Sequence, residues 1–159
     1  MKEIILKIFE NKTLTLGIFI DFSKAFDRLN HDTLMSKLHY YGIRGNAAAL
    51  IRRYLRNRFQ CVHINGHSYD LKQLRAGVPQ GSVLGPILFN IYINDIINIS
   101  HSAQIITYAD DTSIFFQGTD INIISSKVNS FLKVLSSWAM ANSLKSIAPK
   151  QRPFYSVCA

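Results

Sequence analysis

Hydrophobic and polar residues alternate along this chain in patterns that switch between strand-like and helix-like stretches. Short apolar runs predict three β-strands, at Leu14–Asp21, Gln104–Tyr108 and 112–116, and the last two form a hairpin. Within 120–142, apolar residues recur every three or four positions, which predicts an amphipathic helix. The residues that carry this period are Ile121, Ile124, Val128, Phe131, Leu135 and Trp138.

The same patterns predict three more helices, over residues 31–41, 46–56 and 86–97. Asn30 precedes the first as an N-cap, and Pro86 lies in the first turn of the third. Between the second and third helices, the pair Asn65-Gly66 predicts the type I′ turn of a hairpin over residues 61–71. The order β, α, α, β-hairpin, α, β-hairpin, α favours an α+β fold, with helices covering one face of a small antiparallel sheet.

Composition indicates a folded domain. The chain has 159 residues, of which 48% are hydrophobic and only 18% charged, so it is long and apolar enough to bury a core. It contains no run of about 18 apolar residues, and we therefore expect no transmembrane helix and no membrane partner. Cys61 and Cys158 form neither a metal-ligand spacing nor a disulfide framework. We expect an intracellular, reducing location, with nucleus and cytoplasm left open.

The positive charge of the chain is concentrated in one segment. Its 18 Lys and Arg against 10 Asp and Glu give a net charge of +8. Residues 44–75 contain one acid, Asp70, and the basic residues Arg44, Arg52, Arg53, Arg56, Arg58, Lys72 and Arg75. With Tyr54 and Phe59 among them, they predict contact with a nucleic-acid backbone. The alternative is a solvated basic helix face.

Acidic residues mark a second candidate site. Asp110 and Asp111 lie at the tip of the predicted hairpin after Tyr108-Ala109, and Asp21 closes the first strand. Adjacent carboxylates suit a hard divalent cation, and three of them at the ends of neighbouring strands would make a two-metal phosphoryl-transfer site. The alternative is an ordinary turn, because Asp is common in turns.

Three segments together resemble the palm of reverse transcriptases, and in particular that of non-LTR (LINE-type) retrotransposon polymerases. They read FIDFSKAFD from Phe19, RAGVPQGSVLGP from Arg75 and YADD from Tyr108, with FNIYIND following from Phe89. The resemblance covers roughly residues 14–145.

The resemblance implies a polymerase palm fold and the activity of an RNA-directed DNA polymerase. By the same resemblance Asp21, Asp110 and Asp111 are the catalytic carboxylates that hold two Mg²⁺ ions, with Mn²⁺ as the alternative ion. The backbone carbonyl of Phe22 is a further metal ligand. The implied partners are an RNA template, a DNA primer and a deoxynucleoside triphosphate.

Further residues match the nucleotide-binding parts of the family. Phe26 matches the aromatic position under the nucleotide sugar, where a bulky ring disfavours a 2′-hydroxyl; its alternative role is a core Phe. Gln80 and Gly81 match the loop that contacts the nucleotide and the template. We expect template or primer phosphates to be bound by basic residues of the second predicted helix and its C-terminal end, namely Arg52, Arg53, Arg56 and Arg58.

The resemblance also divides the chain. Residues 1–13 are interpreted as an N-terminal remnant, 14–145 as a partial palm and 146–159 as a divergent, disordered tail. Lys150 falls near the spacing of a family Lys on a short strand. Its neighbours Pro149 and Pro153 do not fit, and we interpret that match as accidental. Without fingers and thumb, positioning is lost, and we expect the isolated chain to be weakly active or inactive. The alternative is a non-catalytic nucleic-acid-binding remnant of a retroelement.

Overall fold

A computed structural model describes residues 14–61, 63–79, 81–144 and 150–151. The strands are β1 (Leu14–Asp21), β2 (Arg58–Gln60), β3 (His63–Ile64), β4 (His67–Ser68), β5 (Lys72–Leu74), β6 (Gln104–Tyr108), β7 (Asp111–Gly118) and β8 (Lys150–Gln151). The helices are α1 (Ala25–Arg28), α2 (His31–Tyr40), α3 (Gly45–Leu55), α4 (Leu84–Ile93) and α5 (Ile121–Ala141), with a 3₁₀ helix at Asn94–Ile99. No described helix is both long and apolar enough to cross a membrane.

The chain forms two compact units. The sheet unit contains residues up to Ser23 and from Asp95 onward, and the helical unit contains Lys24–Asn94. The sheet unit is built on a four-stranded antiparallel sheet in the order β6-β7-β1-β8. The helical unit contains α1 to α4 and two short strand pairs, β2 with β5 and β3 with β4.

Alternation along β1 and β7 gives the sheet a core face. Ile18 lies directly opposite Ile114, and both side chains are fully buried. Helix α5 packs on this face, where the Phe131 ring meets the Phe116 ring edge-on at 5.4 Å between centroids. Successive side chains of a strand point to opposite faces, so the alternating apolar residues of β1 and β7 lie on one face. Apolar packing covers that face. The predicted α+β fold, with an antiparallel sheet covered on one face, is confirmed.

Helix α5 forms where its period predicts it. Asp120 caps its N-terminus by accepting a hydrogen bond from the N–H of Asn122 at 2.8 Å. Trp138 lies near the other end, and its indole N–H donates to Asp95 at 3.3 Å. The buried stripe consists of Ile124, Val128, Phe131, Leu135 and Ala139. The three-to-four spacing of this stripe produces one apolar face, as expected for a helix packed on a sheet.

The predicted cap of α2 is also present. The Asn30 side chain accepts hydrogen bonds from the N–H groups of Asp32 and Thr33 at 2.9 and 3.0 Å. The Asn30 N–H in turn donates to the hydroxyl of Tyr92, a fully buried residue of α4. Lys37 donates to the backbone carbonyl of Tyr92, and its ammonium lies 4.8 Å from the ring centroid. These contacts fix α2 against α4.

Two elements differ most in extent from their predictions. The helix predicted at 86–97 begins at Leu84, because Ser82 Oγ accepts from the N–H of Gly85 at 3.1 Å and satisfies a first-turn donor. It changes to a 3₁₀ helix at Asn94. The hairpin predicted at 61–71 is longer, because β2 and β5 continue the pairing outside β3 and β4. Its Asn65-Gly66 turn has positive φ at both residues, as type I′ requires.

Two residues of the segment predicted to be a disordered tail are described, and they form a strand. Lys150 and Gln151 form β8, whose backbone pairs with Phe19 and Ile18 at the edge of the sheet. An open edge of β1 offers unpaired backbone groups, and pairing satisfies them whatever the local sequence prefers. A short strand at Lys150 is therefore present, although we interpreted the family match there as accidental. The other residues of 146–159, and the 1–13 segment, lie outside the described residues.

In the helical unit, the loop around Gly77, called the glycine-rich loop below, is held tightly against the chain around α1. The Gly77 N–H donates to the Leu29 carbonyl at 2.7 Å, and the Val78 N–H donates to the Phe26 carbonyl at 2.9 Å. His31 Nε2 lies 2.7 Å from the Gly77 carbonyl. A carbonyl can only accept, so the imidazole Nε2–H is the donor in this bond. Three hydrogen bonds thus clamp the glycine-rich loop onto residues 26–31.

We predict that Gly77→Ala destabilises the chain far more than Gly81→Ala. Both glycines have positive φ, +84° and +76°. A Cβ at Gly77 would lie 2.8 Å from Cα and O of Asp27, whereas none of the described atoms lies within 4 Å of a Cβ at Gly81. We expect a loss of about 3–5 kcal/mol in unfolding free energy for Gly77→Ala and about 1–2 kcal/mol for Gly81→Ala.

Urea unfolding followed by circular dichroism measures both variants. Gly81→Ala is the matched control, because it shares the backbone strain and lacks the close approach. Equal losses for the two variants would contradict a clamp at Gly77.

Candidate active site

The carboxylates predicted at strand ends lie on adjacent strands. Asp21 closes β1 and Asp111 opens β7, and the two residues are direct partners in the antiparallel register. Direct partners have Cβ atoms about 4.5–5.5 Å apart, so their side chains are neighbours. The structure therefore joins two acids that are 90 positions apart in the sequence (111 minus 21).

Asp110 lies beside this pair in the turn between β6 and β7. Tyr108 pairs with Asp111, which leaves Ala109 and Asp110 as the two residues of a tight turn. Ala109 has φ +52°, in the left-handed region that primed hairpin turns require at their first central position. An Ala there costs about 1–2 kcal/mol relative to glycine. The turn brings all three carboxylates to one end of the sheet.

Asp21 and Asp111 belong to the sheet face that α5 does not cover. Their neighbours Ile20 and Thr112 are buried on the core face, and successive residues of a strand point to opposite faces. Farther along the uncovered face, the Phe115 ring lies 6.1 Å from the Phe19 ring in an edge-to-face contact. Gly17 makes room for it, since a Cβ there would lie 3.3 Å from the Phe115 ring. The acids thus adjoin an apolar platform.

The electrostatics of the acid cluster favour a cation. Asp21 and Asp111 are exposed and Asp110 is half-buried, and none of the three carboxylates has a hydrogen bond or ion pair to the described residues. Like charges directly opposite in a sheet destabilise it. A cation between them would relieve this repulsion, and carboxylate oxygens are the donors that Mg²⁺ and Mn²⁺ prefer.

The donor chemistry fits a metal, but the side chains are not gathered as ligands. Within the described ranges, no group of three or more His, Cys, Asp or Glu side chains is placed so that it could hold a metal ion. Phe22 follows Asp21 and is buried, with its ring 6.1 Å from that of Trp138. Its side chain therefore belongs to the core, so a role as metal ligand would fall to its backbone carbonyl.

The residues predicted to contact the nucleotide lie in the helical unit. Phe26 is half-buried, and its ring stacks on that of Phe89 with centroids 4.4 Å apart and planes at 29°. Its carbonyl receives the Val78 N–H from the clamped loop. Gly81 is exposed with φ +76°, and Gln80 lies outside the described residues. Phe26 is thus fixed both by its ring and by its backbone.

The four predicted phosphate ligands divide into two kinds. Arg52, Arg53 and Arg56 are exposed. Arg58 is half-buried, its Nε donates to the Tyr54 carbonyl at 2.9 Å, and its guanidinium lies 4.6 Å from the Tyr54 ring centroid. Stacking and hydrogen bonding therefore hold Arg58 in one place.

The sequence did not indicate the role of one residue in the helical unit. His31 was not singled out, yet its imidazole helps to clamp the glycine-rich loop. Its only signal in the sequence is its position directly after the N-cap Asn30, at the start of a helix. That position says nothing about Gly77, which lies 46 residues away.

Comparison with known proteins identifies the family. The profile of the family described as "Reverse transcriptase (RNA-dependent DNA polymerase)" matches residues 2–152. The chain is 34% identical, over 84% of its length, to the probable RNA-directed DNA polymerase from transposon BS of Drosophila melanogaster. It is 31% identical, over 84% of its length, to the RNA-directed DNA polymerase from mobile element jockey of the same species. The chain spans only 16% and 15% of these two relatives.

Solved structures share the fold. A telomerase from Candida albicans, in complex with a fragment of telomeric RNA, matches 99% of this chain and 31% of its own, with TM-score 0.65 and 16% identity. Apo telomerase from Candida tropicalis matches 97% of this chain and 35% of its own, with TM-score 0.61 and 16% identity. The resemblance to non-LTR retrotransposon polymerases is confirmed by the curated relatives. This chain belongs to the reverse transcriptase (RNA-dependent DNA polymerase) family.

Proposed function

We propose that this chain is the palm of an RNA-directed DNA polymerase whose catalytic carboxylates are Asp21, Asp110 and Asp111. The observation that carries the proposal is the register of β1 with β7, which sets Asp21 directly opposite Asp111 and next to the Asp110 turn. Relatives named as RNA-directed DNA polymerases support it. Because the chain spans a small part of those relatives, polymerisation itself is part of the proposal.

Two divalent cations belong to this mechanism. Asp21, Asp110, Asp111 and the backbone carbonyl of Phe22 would hold them, with Mg²⁺ as the ion and Mn²⁺ as its alternative. Such ions, when bound, lower the pKa of the attacking primer hydroxyl and neutralise charge on the triphosphate. The residues of the chain supply the oxygen donors and a rigid hairpin that orients them.

The proposed substrates are an RNA template, a DNA primer and a deoxynucleoside triphosphate. Phe26, Gln80 and Gly81 would contact the nucleotide, with the Phe26 ring excluding a 2′-hydroxyl. Its stacking on Phe89 and the hydrogen bond to its carbonyl support this role, because a residue fixed at its ring and at its backbone resists displacement by an extra oxygen. Arg52, Arg53, Arg56 and Arg58 would bind phosphates through the basic excess of their segment.

A second candidate function is non-catalytic binding of nucleic acid. The described side chains are not gathered into a metal site, which is the observation in its favour. Both functions use the basic surface, but only polymerisation requires the carboxylates. Substitution of a carboxylate therefore separates them.

We predict that the weak primer extension expected of this isolated chain depends on Asp110. With poly(rA) template, oligo(dT) primer, dTTP and Mg²⁺, Asp110→Asn should lower extension to the background of the assay, because it removes a charged metal ligand. Incorporated labelled nucleotide is the measured quantity.

Asp32→Asn is the matched control, since Asp32 is an exposed Asp of α2 that is not one of the three proposed catalytic carboxylates. It should extend the primer as the parent does. Extension by the folded parent that persists in Asp110→Asn would overturn the catalytic role of Asp110. No extension by either protein would mean that the isolated chain is inactive and would favour non-catalytic binding.

The acid cluster should also bind a cation in the absence of turnover. Tyr108 is 82% exposed and pairs with Asp111, so it can transfer excitation to a lanthanide bound by the carboxylates. We expect tyrosine-sensitised Tb³⁺ luminescence that Mg²⁺ competes away and that Asp111→Asn abolishes.

Tyr108→Phe should remove the luminescence without removing the carboxylates, and Asp32→Asn should leave it unchanged. Luminescence that persists in Asp111→Asn would show that the lanthanide binds elsewhere.

A further inference from the structure

A ribbon in the helical unit carries a surface cavity that the proposed catalytic residues do not use. The ribbon comprises residues 58–74, with β2 and β5 as its outer pair and β3 and β4 as its inner pair. Across the inner pair, Ser68 Oγ lies 2.8 Å from His63 Nδ1 and fixes the two strands together. The type I′ turn at 65–66 closes the end.

The cavity has a volume of about 440 Å³ and a mixed lining. Its lining residues are Gln60, Ile64, Tyr69, Asp70 and Lys72. They offer an aromatic ring and an aliphatic side chain for a flat apolar face, an amide and a carboxylate for polar edges, and an ammonium for an anion. An unpaired nucleotide can use these groups, because its base stacks, its edges hydrogen-bond and its phosphate is negative.

Strand register places two cations along the cavity face. Gln60 lies directly opposite Lys72, and Arg58 opposite Leu74, so these four side chains share one face of the outer pair. Arg58 is held in place on the Tyr54 ring. Lys72 and Arg58 thus form a row along which a nucleic-acid backbone can run.

Exposed apolar side chains and local charge together indicate what covers the ribbon. Tyr69 is 61% exposed, and Phe59, Ile64 and Leu71 are exposed as well, which is typical of an interaction surface. Seven basic residues against one acid in the segment 44–75 complement a polyanion rather than an ordinary protein surface. Aromatic rings among cations are the pattern of single-strand binding.

We propose that the ribbon binds one unpaired nucleotide of single-stranded RNA, with the base on Tyr69 and a phosphate at Lys72. The choice of RNA over DNA rests on the proposed function, whose template is RNA. It is supported by Gln60 and Asp70, which can hydrogen-bond a 2′-hydroxyl. The site lies in the helical unit, apart in sequence from all three catalytic carboxylates.

Fluorescence anisotropy of a short labelled oligo(rU) with the full chain tests the proposal, without Mg²⁺ and without nucleotide. Tyr69→Ala should weaken binding about 5- to 150-fold, because it removes one base–aromatic stack. Tyr69→Phe keeps the ring and should bind as the parent does. Tyr40→Ala is the matched control, since Tyr40 is 84% exposed but lies on α2, outside the ribbon.

Salt dependence separates stacking from charge. Lys72→Gln should make the slope of log affinity against log salt shallower by about 0.7, as expected for one lost phosphate contact to a single strand. Tyr69→Ala should leave that slope unchanged. Circular dichroism of each variant checks that the fold is intact.

The proposal is overturned if Tyr69→Ala binds as tightly as the parent, or if Tyr40→Ala loses as much affinity. It is also overturned if RNA duplex or oligo(dU) binds as tightly as oligo(rU). Because the assay needs no turnover, a chain that binds oligo(rU) through Tyr69 but extends no primer would count against polymerisation by the isolated chain and not against the ribbon site. A chain that extends primers without the Tyr69 effect would refute only the ribbon site.

Discussion

The antiparallel pairing of β1 with β7 is the constraint on which the candidate active site depends. The strands bury Ile18 against Ile114 on one face and set Asp21 opposite Asp111 on the other. A slip of one residue would turn the buried side chains outward and the acids toward α5, so the core enforces the register. The free energy of apolar burial thus holds two like charges together.

Local signals predicted much of the fold. Asn30 as a cap, the Asn65-Gly66 turn and the stripe of α5 act over a few residues, and each is present as predicted. By contrast, β8 forms through backbone pairing with a strand more than 130 residues earlier, and nothing in the Lys150-Gln151 dipeptide specifies it. Short elements such as α1 are likewise set by tertiary hydrogen bonds.

The candidate site shows the same division. Residue type and motif predicted that Asp21, Asp110 and Asp111 act together, and the structure places them at one end of the sheet. The resemblance assigned Gln80 and Gly81 to a loop, but the sequence could not reveal that Gly77 meets the backbone of Asp27 or that His31 donates to the Gly77 carbonyl. Such close approaches depend on which distant segment packs there. The sequence does not distinguish a glycine in an open loop from a glycine packed against another segment.

Basic and acidic residues lie in different parts of this chain, and the acidic part requires a cation for the proposed chemistry. The basic residues that suit phosphates lie within 44–75, whereas the uncovered end of the sheet presents three carboxylates. Carboxylates without counter-ions repel the phosphates of a primer and of a triphosphate, so this end of the sheet would reject its own substrates. Divalent cations reverse that sign locally, because they are the largest local charges in such a site. Under the proposed function, Asp21, Asp110 and Asp111 would contribute to substrate binding only with metal bound, so nucleotide affinity and metal affinity would depend on the same side chains.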